Sequence, residues 1–111
     1  MGRNTLGALE QAVMMVILAL GDQAYGVAIR DELSRRTKKD HSLGAVYTTL
    51  DRLAAKELIL SHLGEPTAQR GGRAKRFFEL TQSGRDALEQ SIGARADLER
   101  GLGLGPIGSE S

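Results

Sequence analysis

At 111 residues, with no cysteine and a formal net charge of +1, the chain has room for one modest domain and no means of making a disulfide or a thiolate metal site. Its two histidines, His41 and His62, stand far apart with none at helical spacing, so no metal is expected. The longest apolar run, Ala12 to Leu20, falls well short of the roughly 20 residues that cross a bilayer and carries no leader or cleavage pattern, so a soluble, unexported, cytoplasmic protein is expected.

Charge is unevenly placed. From Arg30 to Arg76 there are 11 basic and 6 acidic residues, while the segments on either side are net acidic. A basic middle between acidic flanks is the footprint of a surface that meets phosphate. For Arg35, Arg36, Lys38 and Lys39, phosphate contact and plain solvation of a helix end are equally good readings.

In chain order, Thr5 is placed to cap a first helix from about Leu6 to Leu20, with Leu6, Leu9, Val13, Val16, Ile17 and Leu20 at helical spacing. Met14, Met15 and Leu18 make it apolar on more than one side, so it is expected to pack on its own core and on a second subunit, with Leu9 and Met14 in that interface. A domain this small also buries too little surface to leave an apolar helix face in water. The second helix is expected from about Tyr25 to Thr37 with Val27, Ile29 and Leu33 inward, and Gly26 allows close approach.

Ser42 is a natural N-cap for a third helix from about Leu43 to Glu57. Leu43, Val46, Leu50, Leu53 and Ala54 cluster on one side of its wheel; Ala45, Thr48, Thr49 and Arg52 point away, with Tyr47 on the flank. Short, hydroxylated and cationic side chains suit a helix in a DNA major groove, where hydroxyls serve bases or phosphates and arginine takes guanine bidentately. Ser42, Ala45, Tyr47, Thr48, Thr49 and Arg52 are therefore the expected reading surface.

A hairpin follows, with strands near Leu58 to Leu63 and Ala74 to Leu80; Phe78 and Leu80 share an inward face and Phe77 lies on the other. Gly71-Gly72 marks a flexible tip crowded by Arg70, Arg73, Lys75 and Arg76. A hairpin needs no such density of cations to fold, so these four, with Lys38 and Lys39, are the expected phosphate contacts. Thr81 caps a last helix from about Gln82 to Arg100. Its apolar stripe of Ala87, Leu88, Ile92, Leu98 and Leu102 is narrow, more an interface seam than a core face, which puts Leu88, Ile92 and Leu98 at a dimer contact. Residues 101–111 read as a flexible glycine-rich tail.

Three helices, a two-stranded wing and a further helix give a mainly α fold: a winged helix-turn-helix over residues 1–81 whose third helix reads DNA, then a dimerisation helix over 82–100. The chain closely resembles the PadR family of bacterial transcriptional regulators. The likeness is carried by Tyr25-Gly26-Val27, by Leu43-Gly44-Ala45-Val46-Tyr47 with Leu50 and Arg52-Leu53, and by Phe77-Phe78-Glu79-Leu80-Thr81 with Gly84. The resemblance implies a homodimeric double-stranded-DNA-binding regulator, usually a repressor, with the wing on the DNA backbone and the C-terminal helix making the dimer; an inverted-repeat operator then follows from two-fold symmetry. Some members release DNA on binding flat hydrophobic compounds in the dimer interface, which implies a small hydrophobic effector as a further partner, although this chain has no tryptophan to sandwich one. Thr48 stands where that family commonly has proline, and Glu57 where it commonly has glycine, a position whose backbone glycine reaches more easily.

The competing reading is a winged helix used for protein contact without DNA. An enzyme is not expected: the histidines lack an evident carboxylate partner and no phosphate-cradling glycine loop is present, so no cofactor is expected either.

Overall fold

The computed structural model describes residues 6–65 and 74–104. Four helices, α1 (Ala8–Leu20), α2 (Gly26–Thr37), α3 (Leu43–Ala55) and α4 (Gln82–Gly101), accompany a two-stranded antiparallel sheet of β1 (Ile59–Leu63) and β2 (Arg76–Leu80). The order is that of a winged helix-turn-helix followed by one C-terminal helix, as the sequence predicts.

The expected Thr5 cap lies outside the described residues. The N-cap of α1 is Gly7, whose N–H donates to Glu10 Oε1 at 3.0 Å. Val13, Met14, Val16 and Ile17 of α1 enter a single core with Ile29 and Leu33 of α2, Val46, Leu50 and Leu53 of α3, and Leu58, Ile59, Phe78, Leu80 and Leu88. This burial of aliphatic side chains is what holds the helices together. Val27, expected inward, is instead exposed, because it lies on the side of the first turn of α2 that faces the cleft beside the wing, while Ile29 turns into the core.

The sheet pairs Ile59 with Leu80, Ser61 with Phe78 and His62 with Phe77. Phe78 and Leu80 are buried as their alternation predicts. The residues before α2 extend the sheet: Phe78 N–H donates to Ala24 O at 2.8 Å and Tyr25 bridges Phe77. The wing is thereby tied to the start of α2.

The exit of α3 is the tightest joint. Lys56 is its C-cap, and Glu57 follows with φ of 63°. Glu57 N–H reaches Ala54 O and Leu58 N–H reaches Leu53 O, each at 2.9 Å, so the chain stops the helix by a left-handed residue. A side chain there costs about 1 kcal/mol relative to glycine. Glu57→Gly is accordingly expected to raise stability by about 1 kcal/mol, read as a higher denaturant midpoint at unchanged slope; a lower midpoint would contradict this account of the turn.

Thr81 locks the same joint. Its Oγ1 accepts from Gly84 N–H at 2.9 Å, capping α4, and its hydroxyl donates to Glu57 O at 2.9 Å. Of the expected tail, Gly101 belongs to α4 and residues 102–104 form its stop, with Gly103 at φ 76° and Leu104 N–H on Glu99 O at 2.8 Å. Residues 105–111 lie outside the described set.

Candidate nucleic-acid interface

Ser42 caps α3 as expected, its Oγ accepting from Ala45 N–H at 3.0 Å, which leaves the hydroxyl proton free to donate outward. Val46, Thr49, Leu50 and Leu53 are the buried residues of α3. At about 100° per residue the opposite face is centred on Gly44, Thr48, Asp51 and Ala55, with Ala45 and Arg52 on one flank and Tyr47 on the other. All seven are exposed.

This corrects two expectations. Thr49 is not on the reading surface: it is 3% exposed and its hydroxyl donates to Ala45 O at 2.9 Å, satisfying itself within the helix. Ala54, expected inward, is exposed. Gly44 and Asp51 are surface residues that sequence reasoning missed.

Tyr47 packs over the start of α2. A Cβ at Gly26 would lie 3.0 Å from Tyr47 Cε2 and closer still to its hydroxyl, so glycine makes the room that the expected close approach requires. The N-cap of α2, Tyr25, offers no side-chain cap bond, so the first N–H groups of α2 open onto a cleft lined by Tyr25, Val27, Tyr47, Leu63, Lys75 and Arg76. An uncapped helix N-terminus beside a cation attracts an anionic oxygen.

On the wing, Lys75 Nζ sits 4.3 Å from the centre of the Tyr25 ring and Arg76 Nη1 donates to Ser61 Oγ at 3.0 Å. Neither forms an ion pair among the described residues, so both charges remain available. Phe77 meets Tyr25 edge-on with ring centres at 5.6 Å and stacks on His62 at 5.8 Å, which props the return strand against α2. Arg70 and Arg73 lie outside the described residues.

The basic end of α2 divides. Arg35 and Arg36 both clasp Glu32, at 2.7 and 2.6 Å, and these hydrogen bonds, Arg36 first and then Arg35, hold the Glu32 carboxyl below its usual range. Lys38, left-handed at φ 58°, and Lys39 are exposed and carry no ion pair among the described residues. Phosphate contact is thus open to the lysines more than to the arginines.

His41 is a turn residue. Thr37 spends its proton on Leu33 O at 2.8 Å, so at 3.0 Å it accepts from His41 Nε2–H, while the backbone N–H of His41 donates to Ser34 Oγ. These bonds fix the angle between α2 and α3. No cluster of three metal-ligating side chains occurs among the described residues.

Glu10 and Lys56 brace α3 from behind. Lys56 Nζ contacts both Glu10 oxygens, at 3.0 and 3.1 Å. Burial pushes the Glu10 carboxyl up, but the Gly7 N–H, the Lys56 ammonium and the more distant Arg52 charge together outweigh it and leave the carboxyl below its usual range.

The expected dimer residues separate into two groups. Met14 and Leu88 are core residues, 0% and 3% exposed, and so are not available to a partner; α1 is apolar on more than one side from Ala12 onward, and its spacing does not distinguish the inner from the outer face. Leu9 is half-buried. Ile92 and Leu98 are 46% and 61% exposed, and no residue of α4 beyond Leu88 is buried. Met15 and Leu18 are exposed on α1, which packs on α4.

A helix whose outer face is built of short side chains, an uncapped helix start and the cations Lys75 and Arg76 beside it are the parts of a winged helix-turn-helix of the DNA-binding kind. The model of the PadR-like transcriptional regulator family matches residues 14–90, and the chain belongs to that family. It is therefore of a regulatory rather than an enzymatic class. Transcriptional regulator Rv3488 of Mycobacterium tuberculosis is 37% identical over 93 residues, 80% of each chain. Among solved structures, a PadR-like transcriptional regulator from Bacillus cereus superposes with a TM-score of 0.63 at 26% identity, over 90% of this chain and 95% of that one. A transcriptional regulator from Clostridium thermocellum shares the fold, with a TM-score of 0.68 at 15% identity over 86% of this chain and 89% of that one. No helix among the described residues is long and apolar enough to cross a membrane.

Proposed function

We propose that the protein is a sequence-specific repressor that binds an inverted-repeat operator as a homodimer, in the cytoplasmic compartment that holds the DNA. The observation that carries this reading is the outer face of α3, where Gly44, Ala45 and Thr48 permit close approach and Asp51 and Arg52 offer hydrogen-bonding groups. That face bears no large apolar side chain except the flanking Tyr47, which weighs against docking to another protein.

Two such helices, related by a two-fold axis, enter successive major grooves about 10 base pairs apart. Ser42 and Tyr47 hydroxyls, the open start of α2 and Lys75 and Arg76 take the flanking phosphates, with Lys38 and Lys39 at the far end of α2. Arg70 and Arg73 extend the wing contact on the strength of their sequence position. The dimer is made by the exposed stretch of α4, with Ile92 and Leu98, against Met15 and Leu18 of the partner's α1 face and the half-buried Leu9. The space between these apolar faces is where a small hydrophobic effector enters, and repression follows from occupying the operator.

Salt titration separates the roles. Lys75→Ala is expected to weaken binding to all duplexes alike and to reduce the slope of log affinity against log salt by about one unit. Arg52→Ala is expected to relax base preference, at a cost of about 1–3 kcal/mol on the operator. A Lys75→Ala variant with altered base preference and an unchanged slope would overturn this division, and absence of any duplex binding at low salt would favour protein contact.

A further inference from the structure

We propose that Asp51 is a base-reading residue of α3, accepting from the exocyclic amino group of a cytosine in each operator half-site. The inference rests on the DNA-reading role of α3 and specifies part of what that helix reads.

Asp51 is hard to explain as a structural residue. It is exposed and makes no hydrogen bond or ion pair among the described residues. The helical neighbours three and four positions away, Tyr47, Thr48, Ala54 and Ala55, carry no positive charge that it could pair with. Aspartate is a weak helix former, and this one lies in the C-terminal half of α3, where the helix dipole disfavours a carboxylate. The fold therefore gains nothing visible from it.

On a surface that meets DNA, a carboxylate is also costly wherever it faces phosphate. The place where it is favourable is opposite an amino group in the major groove. Cytosine presents its N4 amino group there without a flanking acceptor on the same base. Adenine presents N6 beside the N7 acceptor, which repels a carboxylate, and guanine and thymine present acceptors at the equivalent position. Asp51 lies at the centre of the outer face beside Thr48, not on the flank that meets the backbone, so its carboxylate is directed at base edges.

The test is selection of a random-core duplex pool by the wild-type dimer and by Asp51→Asn and Asp51→Ala, with melting curves confirming that the variants fold. Wild type is expected to enrich an inverted repeat with cytosine at one fixed position per half-site. Asp51→Asn is expected to move that position to adenine, whose N6 and N7 suit an amide. Asp51→Ala is expected to flatten it, a loss of roughly tenfold in preference at that position alone, and to bind scrambled duplex more tightly. If both variants enrich the wild-type motif unchanged, the role of Asp51 is overturned while the DNA reading stands. A wild-type pool with no enrichment overturns both.

Discussion

Gly84→Ala is expected to lower the melting temperature by roughly 10–20 °C, the consequence of about 2–3 kcal/mol of overpacking. Gly84 sits in the first turn of α4 against the exit of α3. A Cβ there would stand 3.0 Å from the Leu58 carbonyl carbon and closer still to its oxygen. That oxygen already accepts from Thr81 N–H at 3.0 Å, so the backbone has no direction in which to yield without breaking the cap. The clash is with main chain rather than with the far end of a flexible side chain, which is why relief is expensive. Gly93, in the same helix, has nothing within 4 Å of the equivalent position, and Gly93→Ala is expected to stabilise by about 0.5–1 kcal/mol through helix propensity alone. The same substitution thus carries opposite signs at two sites of one helix. Thermal unfolding of both variants checks it, and a Gly84→Ala protein that melts with the wild type would show that α4 does not depend on this contact.

The second large effect concerns the dimer. Replacing Ile92 and Leu98 together by glutamate is expected to leave the protomer folded, since both side chains are exposed and the core ends at Leu88. The same change places charges in the proposed interface, where desolvation opposes association. Sedimentation is expected to show a monomer, and operator affinity to fall by roughly 10²–10⁴-fold, because each half-site must then be bound without the effective concentration that the linked partner supplies. Single half-site duplexes should lose much less. A double variant that remains dimeric and binds the operator normally would place the interface elsewhere.

Much of the fold was legible because its signals are local. Ser42 and Thr81 announce helix starts by their hydroxyls, and both make the predicted cap bonds to the third residue onward. The Phe78 and Leu80 alternation fixed the buried face of the wing, since a strand admits only two faces. The resemblance supplied the glycine expectation at position 57, and the left-handed backbone of Glu57 agrees with it.

The outer face of α3, proposed to read DNA, was less legible. Counting Leu43 and Ala54 as inward rotates the apparent apolar stripe, which turns Thr49 outward and hides Asp51. With Val46, Leu50 and Leu53 alone as the centre, Thr49 falls inside the buried arc, where a hydroxyl satisfied by the carbonyl four residues back costs little. Arg35 and Arg36 looked like Lys38 and Lys39 in sequence, and only the placement of Glu32 between the two arginines separates structural charge from available charge. For Met14 against Met15, the distinction depends on where α2, α3 and α4 pack around a helix that is apolar on more than one side, which helical spacing alone does not contain.

The most direct test of the proposed DNA reading is binding of the purified protein to duplex DNA from its own upstream region against a scrambled duplex, over a series of salt concentrations. Tighter binding to the upstream duplex is expected, with affinity falling steeply as salt rises and two protomers bound per site. A folded protein that binds neither duplex at low salt, or binds both equally at every salt concentration, would contradict it.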